Sequence, residues 1–236
     1  MQKLADEQRR RFQSDGYLHL EQVLNTDEAE FFRNEIDRIR QIPGYEPDKN
    51  PDLPRGHYAW MDHTPDLDSG GFMDRRDLLT YGQPFIDLID RAPVFDYIVD
   101  LMGPNILLSM TQAIVRPPSE AFSGYTHTDG GESLRRIRVD ETCPPIALKA
   151  MYLLSDVTGE DSGNLTVFPG SHTRQIPDEG EISPYAPGAA QLMGKAGDVY
   201  LYYPRAVARP CEKPFRQEPQ GLALQLLPAL GALLRL

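Results

Sequence analysis

Cysteine is scarce: the 236-residue chain has two, Cys143 and Cys211, which excludes a disulfide framework and fits a reducing compartment. Basic residues are outnumbered, 24 Lys plus Arg against 35 Asp plus Glu, for a net charge of -11. That balance disfavours nucleic acid or an anionic membrane as the main partner and points to a soluble, cytoplasmic protein. No run reaches the roughly 18 apolar residues of a membrane span. The leucine-rich stretch from Leu222 to Leu236 is too short and is interrupted by Pro228. The N-terminal segment is charged, so no signal peptide is read there. Histidine is limited to five residues, and their scatter does not offer the three or four ligands that a metal-dependent isomerase or hydrolase would want.

At this length a single domain with a sizeable core is expected. Asp6 to Ser14 has helix-forming composition with Phe12 as its apolar anchor, and Asp15-Gly16 ends it. Tyr17 to Leu24 reads as a strand. Asn25 or Thr26 caps a second helix, along which Ala29, Phe32, Ile36 and Ile39 form an apolar stripe. Pro43 to Asp74 is rich in Pro, Gly and Asp and reads as a long loop covering a site. Arg76 to Met102 reads as helix in two pieces divided by Pro93. From Asn105 onward short β-like runs dominate: 106–115, 125–129, 147–155, 163–168 and 198–203. The order implies a mainly β sandwich or jelly roll with flanking helices. It divides into a mostly helical region over residues 1–104, a β core over 105–204 and a tail over 205–236.

Within Gly124-Tyr-Thr-His-Thr-Asp-Gly-Gly131, His127 and Asp129 are two apart. On a strand they share a face, so an imidazole and a carboxylate stand side by side. Such a pair is two thirds of a 2-His-1-carboxylate facial triad for non-haem Fe(II). The pair alone is common by chance and needs context. His19-x-Glu21 is a second such pair, but no glycine-rich turn accompanies it, and a structural role is the better reading. His57 and His63 read as loop histidines.

The ordered set Asp15-Gly-Tyr-Leu, His127-Thr-Asp129, Phe168-Pro-Gly-Ser-His172 and Gly197-Asp198 resembles the phytanoyl-CoA dioxygenase family of Fe(II)/2-oxoglutarate-dependent oxygenases, over about residues 4–204. The resemblance implies a double-stranded β-helix of the cupin-like, jelly-roll kind. It also implies Fe(II) held by His127 and Asp129 among others, and 2-oxoglutarate as co-substrate. O2-driven hydroxylation of a small organic substrate would be the outcome. Gln112 and Lys149 fall on strands that line the cavity in such a fold and are carried as contacts to 2-oxoglutarate or substrate, with a strand-edge surface lysine as the other reading of Lys149. His172 matches a turn motif of the family and is expected to hold a loop together. The arginines of Arg135-Arg-Ile-Arg138 either draw an anionic substrate or form a solvated face with Asp140 and Glu141.

The chain departs from the family near its end. The family's third ligand, a histidine about ten residues past the Gly-Asp turn, falls here on Ala208, and its 2-oxoglutarate arginine falls on Pro219 or Gln220. Val207-Ala-Arg-Pro210 can be encoded GTG GCA CGG CCC, which reads Trp-His-Gly one nucleotide along. Permitted codons beyond it supply an arginine at 219. The tail therefore reads as a frameshift product with its last strand disrupted, and the activity as impaired. The alternative is a non-catalytic jelly-roll binding protein that has lost its metal site.

Overall fold

Among the described residues the helices bury their apolar side chains in one core shared with a large antiparallel sheet. The computed structural model describes residues 2–42, 73–115, 143–174, 185–203, 208–210 and 220–228, the last two segments and Asp74 in backbone only. The polar helix α1, Asp6–Asp15, buries Phe12 and ends at Gly16, from which β1, Tyr17–Leu20, departs. The strand is four residues shorter than the sequence pattern implies because 21–24 turn toward the next helix. In α2, Thr26–Arg40, the Asn25 side chain accepts from the Glu28 N–H while the Glu28 carboxylate accepts from the Asn25 N–H. Ala29, Phe32, Ile36 and Ile39 are buried, as their spacing predicts. Asn25→Ala removes one half of this reciprocal cap and is expected to cost about 1 kcal/mol in a urea titration, with no change in fold.

The next stretch differs from the sequence reading. Met73–Arg76, which spans the end of the expected loop and the first residue of the expected helix, is instead a strand, β2; it pairs antiparallel with β3, Ile106–Val115. A 3-10 turn at Leu78–Tyr81 follows, pinned where the Leu78 N–H donates to Thr111 Oγ1 at 2.7 Å. Helices α3, Gln83–Asp87, and α4, Val94–Met102, then bury Phe85, Val94, Tyr97, Ile98 and Leu101. The chain's start is tied onto α4: the Leu4 N–H and the Arg9 guanidinium both donate to Asp100 Oδ2.

The remaining strands are β4, Leu148–Leu153; β5, Leu165–Val167; β6, Ala190–Gln191; β7, Val199–Tyr202; β8, Ala208–Pro210; and β9, Gln220–Pro228. They form a six-stranded sheet in the order β1-β7-β4-β9-β3-β2 and a three-stranded sheet in the order β6-β5-β8. β9 corrects one expectation. Instead of being disrupted, the last strand pairs antiparallel with β3 on one side and β4 on the other. Ladder bonds are made by backbone groups and tolerate many side chains, and a nearly continuous apolar run is the pattern of a central strand rather than an edge one. Among the described residues no helix is long and apolar enough to cross a membrane.

Strand alternation sorts the large sheet's two faces. Leu18, Leu20, Ala113, Leu148, Ala150 and Leu201 join the helices in the main core. The opposite face supplies Leu153, Tyr200 and Tyr202, with Tyr17 and Met151 beside them, to a second cluster shared with Val167 and Leu165 of the small sheet. The two sheets therefore face each other across this second cluster.

Candidate functional site

Cross-strand register places the chemistry on that inward face. One row runs Arg76, Gln112, Ala223, Met151, Tyr200, His19 across the six strands. The next runs Met110, Gln225, Lys149, Tyr202, Tyr17. Gln112 and Lys149 are each only 6% exposed, so Lys149 is not a strand-edge surface lysine. They stand on the two strands that flank β9, one inward row apart, which sets their Cα atoms roughly 12 Å apart by strand spacing and rise. Arg76 neighbours Gln112, and Arg76 Nε and Gln112 Oε1 are shielded from solvent.

The small sheet supplies the facing wall. β8 pairs with β5 so that Ala208 is opposite Val167, Arg209 opposite Thr166 and Pro210 opposite Leu165. Val167 belongs to the cluster between the sheets. The register position of Ala208 is thus an inward one. It is the position that the family resemblance assigns to the third metal ligand, and alanine has no donor atom. His127 and Asp129 lie outside the described residues, as do His57, His63 and Arg135 to Arg138. Among the described residues no group of three His, Cys, Asp or Glu side chains could hold a metal ion. The two described histidines are engaged elsewhere. His172, buried in the short turn Ser171–Thr173, has Nε2 3.1 Å from the Gln13 carbonyl oxygen and its ring 5.4 Å from that of Tyr203. It joins the Pro-Gly-Ser-His turn to the end of α1, the structural role expected of it.

His19 stacks on Tyr200, ring centroids 4.6 Å apart, and its Nε2 lies 2.9 Å from Asp198 Oδ2. Asp198 also accepts from the backbone N–H groups of Gln22 and Lys195. This pairing absorbs the His19-x-Glu21 motif and explains the Gly197-Asp198 turn: one buried carboxylate fastens β1 to the loop before β7. Sequence reasoning missed the pair because its members are 179 positions apart. Partial burial pushes the Asp198 carboxyl up, yet the two N–H donors and His19 together outweigh it and hold the group below the ordinary carboxylate value. A folded-state value below the unfolded one means that the contribution is complete above about pH 3.9 and fades as the pH falls through the lower folded value. Asp198→Ala is expected to lose roughly 1–3 kcal/mol at pH 7. Its acid-unfolding curve should also be flatter than the parent's below pH 4. Identical acid limbs would contradict this account.

Inward chemistry differs from the hydrophobic contacts around it. Tyr200 donates its hydroxyl to the Met193 carbonyl, and burial pushes its phenol up to about 12, so near neutrality it is a proton-bearing wall rather than a base. The inward rows also carry the polar side chains of Arg76, Gln112 and Lys149.

A large and a small antiparallel sheet, facing each other with helices packed outside the large one, make a double-stranded β-helix of the jelly-roll kind. A sequence profile described as phytanoyl-CoA dioxygenase (PhyH) matches residues 12–208; the chain belongs to that family. Among solved structures it is similar to HygX from Streptomyces hygroscopicus with nickel and 2-oxoglutarate bound, at 20% identity and a TM-score of 0.72, covering 96% of this chain and 88% of that one. It is also similar to the non-haem α-ketoglutarate-dependent carbocyclase SnoK from nogalamycin biosynthesis, at 18% identity and a TM-score of 0.67, covering 99% and 91% of the two chains. The corresponding epimerase SnoN gives 18% identity and a TM-score of 0.65, covering 94% and 80%. No curated protein sequence matches. At these identities the structural likenesses establish the fold.

Proposed function

We propose that this chain is built as an Fe(II)/2-oxoglutarate-dependent dioxygenase that hydroxylates a small organic substrate, and that its catalysis is impaired as written. The family membership supports the first half, and the register of Ala208 carries the second. In this reading residues 1–236 act as one oxygenase-like domain. His127 and Asp129 are the two metal ligands the chain retains, and Gln112 and Lys149 contact the oxoacid or the substrate. HygX has been solved with iron, and with nickel, 2-oxoglutarate and hygromycin B together, which supports a metal, an oxoacid and a small molecule sharing such a cavity. When bound, iron would supply oxygen activation at positions left open by the protein ligands. The donor set of this chain does not complete that site. Alanine stands at the third ligand position, and the position for the oxoacid arginine is Pro219 or Gln220.

The tail after Tyr203 is read as the product of a shifted frame. Its coding sequence tests that directly: codons at Val207 to Pro210 that cannot read Trp-His one nucleotide along would end the idea. Function is tested by 2-oxoglutarate-dependent succinate release with Fe(II) and ascorbate. The chain as written is expected to release at most about one hundredth of the succinate released by a frame-corrected chain, in line with the cost of even outer contacts to a metal site. Robust turnover by the written chain would overturn the impairment. A second reading, a non-catalytic jelly-roll binding protein, is favoured by the buried Lys149 and Gln112, which persist where the third metal donor does not.

A further inference from the structure

We propose that β1, at the open edge of the six-stranded sheet, is a docking strand for an extended basic segment of a partner protein, which adds to the sheet as one further antiparallel strand. The proposal does not rest on the oxygenase reading, whose residues belong to other segments of the chain.

The backbone supplies the first observation. The Tyr203 N–H donates to the Gly16 carbonyl at 2.8 Å, and the Leu153 N–H donates to the Asp198 carbonyl at 2.9 Å. With Leu18 opposite Leu201 and Leu20 opposite Val199, antiparallel alternation turns the bonding groups of Leu18 and Leu20 toward β7. Those of Tyr17 and His19 then face away from the sheet. Among the described residues no strand lies beyond β1, so the N–H and C=O of both residues are open to another chain. The second observation is the lack of protection. Natural edge strands discourage pairing with a lysine, a proline or a bulge. β1 reads Tyr-Leu-His-Leu, and its register with β7 runs without a shift. Its shortness limits the addition to a short segment. The opposite edge, β2, carries Arg75 and Arg76 and would repel the cationic strand that β1 accepts.

Surface chemistry and charge select the occupant. The rings of Tyr17 and His19 lean on Tyr200, with centroids 6.3 Å and 4.6 Å away, and the His19 side chain is 31% exposed. Such rings stack with the flat face of a guanidinium. Asp15 and Glu21 flank the strand, and among the described residues neither carboxylate is in an ion pair. The chain as a whole carries a net charge of -11. A basic segment complements these groups; a second copy of β1 does not. Antiparallel pairing of β1 with itself, Tyr17 opposite His19, would set Asp15 of one copy against Glu21 of the other, and like charges directly opposite destabilise a strand pair.

The test is fluorescence anisotropy of a labelled, end-capped peptide, Arg-Val-Arg-Val-Arg-Val, titrated with the full chain in EDTA. Its length matches the interval from Asp15 to Glu21. The arginines would take the row of Tyr17 and His19, which directs their N–H groups at β1, and the valines the row of Leu18 and Leu20. Saturable binding that weakens with added salt is expected. The Glu-for-Arg peptide should bind at least about tenfold more weakly, having lost the charge match and gained repulsion. N-methylation of the arginine amides should weaken binding by at least about tenfold, and N-methylation of the valine amides by no more than about threefold, since only the former point at the docking strand. The Asp15→Asn, Glu21→Gln double variant, its folding checked by circular dichroism, is expected to bind the arginine peptide about threefold or more weakly than the parent. The proposal is overturned if the arginine peptide fails to bind, if the glutamate peptide binds as well, or if the two methylated peptides bind alike. Parent-like binding by the folded double variant would overturn it too. So would sedimentation showing that the chain alone is a dimer which the arginine peptide dissociates, because the occupant would then be a second copy.

Discussion

Ala208→His is expected to raise the affinity of this chain for Fe(II), or for Ni(II) or Co(II) as stand-ins, by at least about a hundredfold. That figure is conservative, since altering residues that merely orient metal ligands already costs roughly 10- to 100-fold, and here a whole ligand is supplied. The geometric ground is the pairing of Ala208 with Val167, a residue of the cluster between the sheets. A histidine at 208 occupies an inward register position on the wall opposite Gln112 and Lys149. Strand alternation provides the control. Arg209 pairs with Thr166 and holds the opposite register, so Arg209→His adds the same imidazole one residue along and on the other face. Anaerobic metal titration followed by visible absorption should therefore show tight binding for Ala208→His and parent-like binding for Arg209→His. Equal gains in both variants would mean that an added surface histidine explains the effect. No gain in either would mean that His127 and Asp129 do not converge on a metal. The variant is not expected to regain full turnover, because the arginine position remains Pro219 or Gln220.

How legible this architecture is depends on the kind of signal each element leaves. Helix α2 is readable because capping residues and a 3.6-residue stripe coincide, and both are realised. β3 is readable from 106 to 115 without adjustment because it is long and bounded by Gly103-Pro104. β6 and β8, of two and three residues, are too short to show a period. β2 is hidden by its Asp-Arg-Arg composition; as an edge strand it needs fewer apolar residues than an interior one. β9 misleads in the other direction: its run of leucines lacks alternation, as befits a strand with neighbours on both sides.

The site is legible only in part, for a related reason. His-x-Asp and the order of the family motifs are local patterns, and they point to the family. Placing Gln112 and Lys149 on one face of the sheet requires knowing that β9 inserts between their strands. No local pattern announces that insertion, since β9 begins only at Gln220, far along the chain from both. The Asp198 node is equally silent: its donors come from Gln22, Lys195 and His19, and only one of the three is near in sequence.

Gly197→Ala is expected to be the most damaging single methyl added to the described residues. Gly197 has φ +97, and a Cβ built there would overlap the carbonyl oxygen of Leu24 and lie 3.2 Å from its carbon. Those atoms are main chain and cannot rotate away. Leu24 is itself buried, its N–H donates to the Gly197 carbonyl at 3.0 Å, and the Gly197 N–H donates to the Leu153 carbonyl at 2.8 Å. Relief of the overlap therefore has to break the contact that brings the turn after β1 against the turn before β7, next to the carboxylate of Asp198. The left-handed backbone costs a non-glycine residue about 1–2 kcal/mol, the steric overlap about 1–3 kcal/mol and a buried bond lost about 1–3 kcal/mol. A total of about 4 kcal/mol is a large share of the roughly 5–15 kcal/mol that typically separates folded from unfolded domains. Gly103→Ala reports the cost of a positive φ without any steric overlap, because Gly103 has φ +85 and a methyl added there meets nothing within 4 Å. Urea unfolding should place the Gly103→Ala midpoint slightly below the parent's and the Gly197→Ala midpoint far below both. If the two variants lose the same stability, backbone strain alone accounts for Gly197, and the close approach of Leu24 carries no weight in holding β1 to β7.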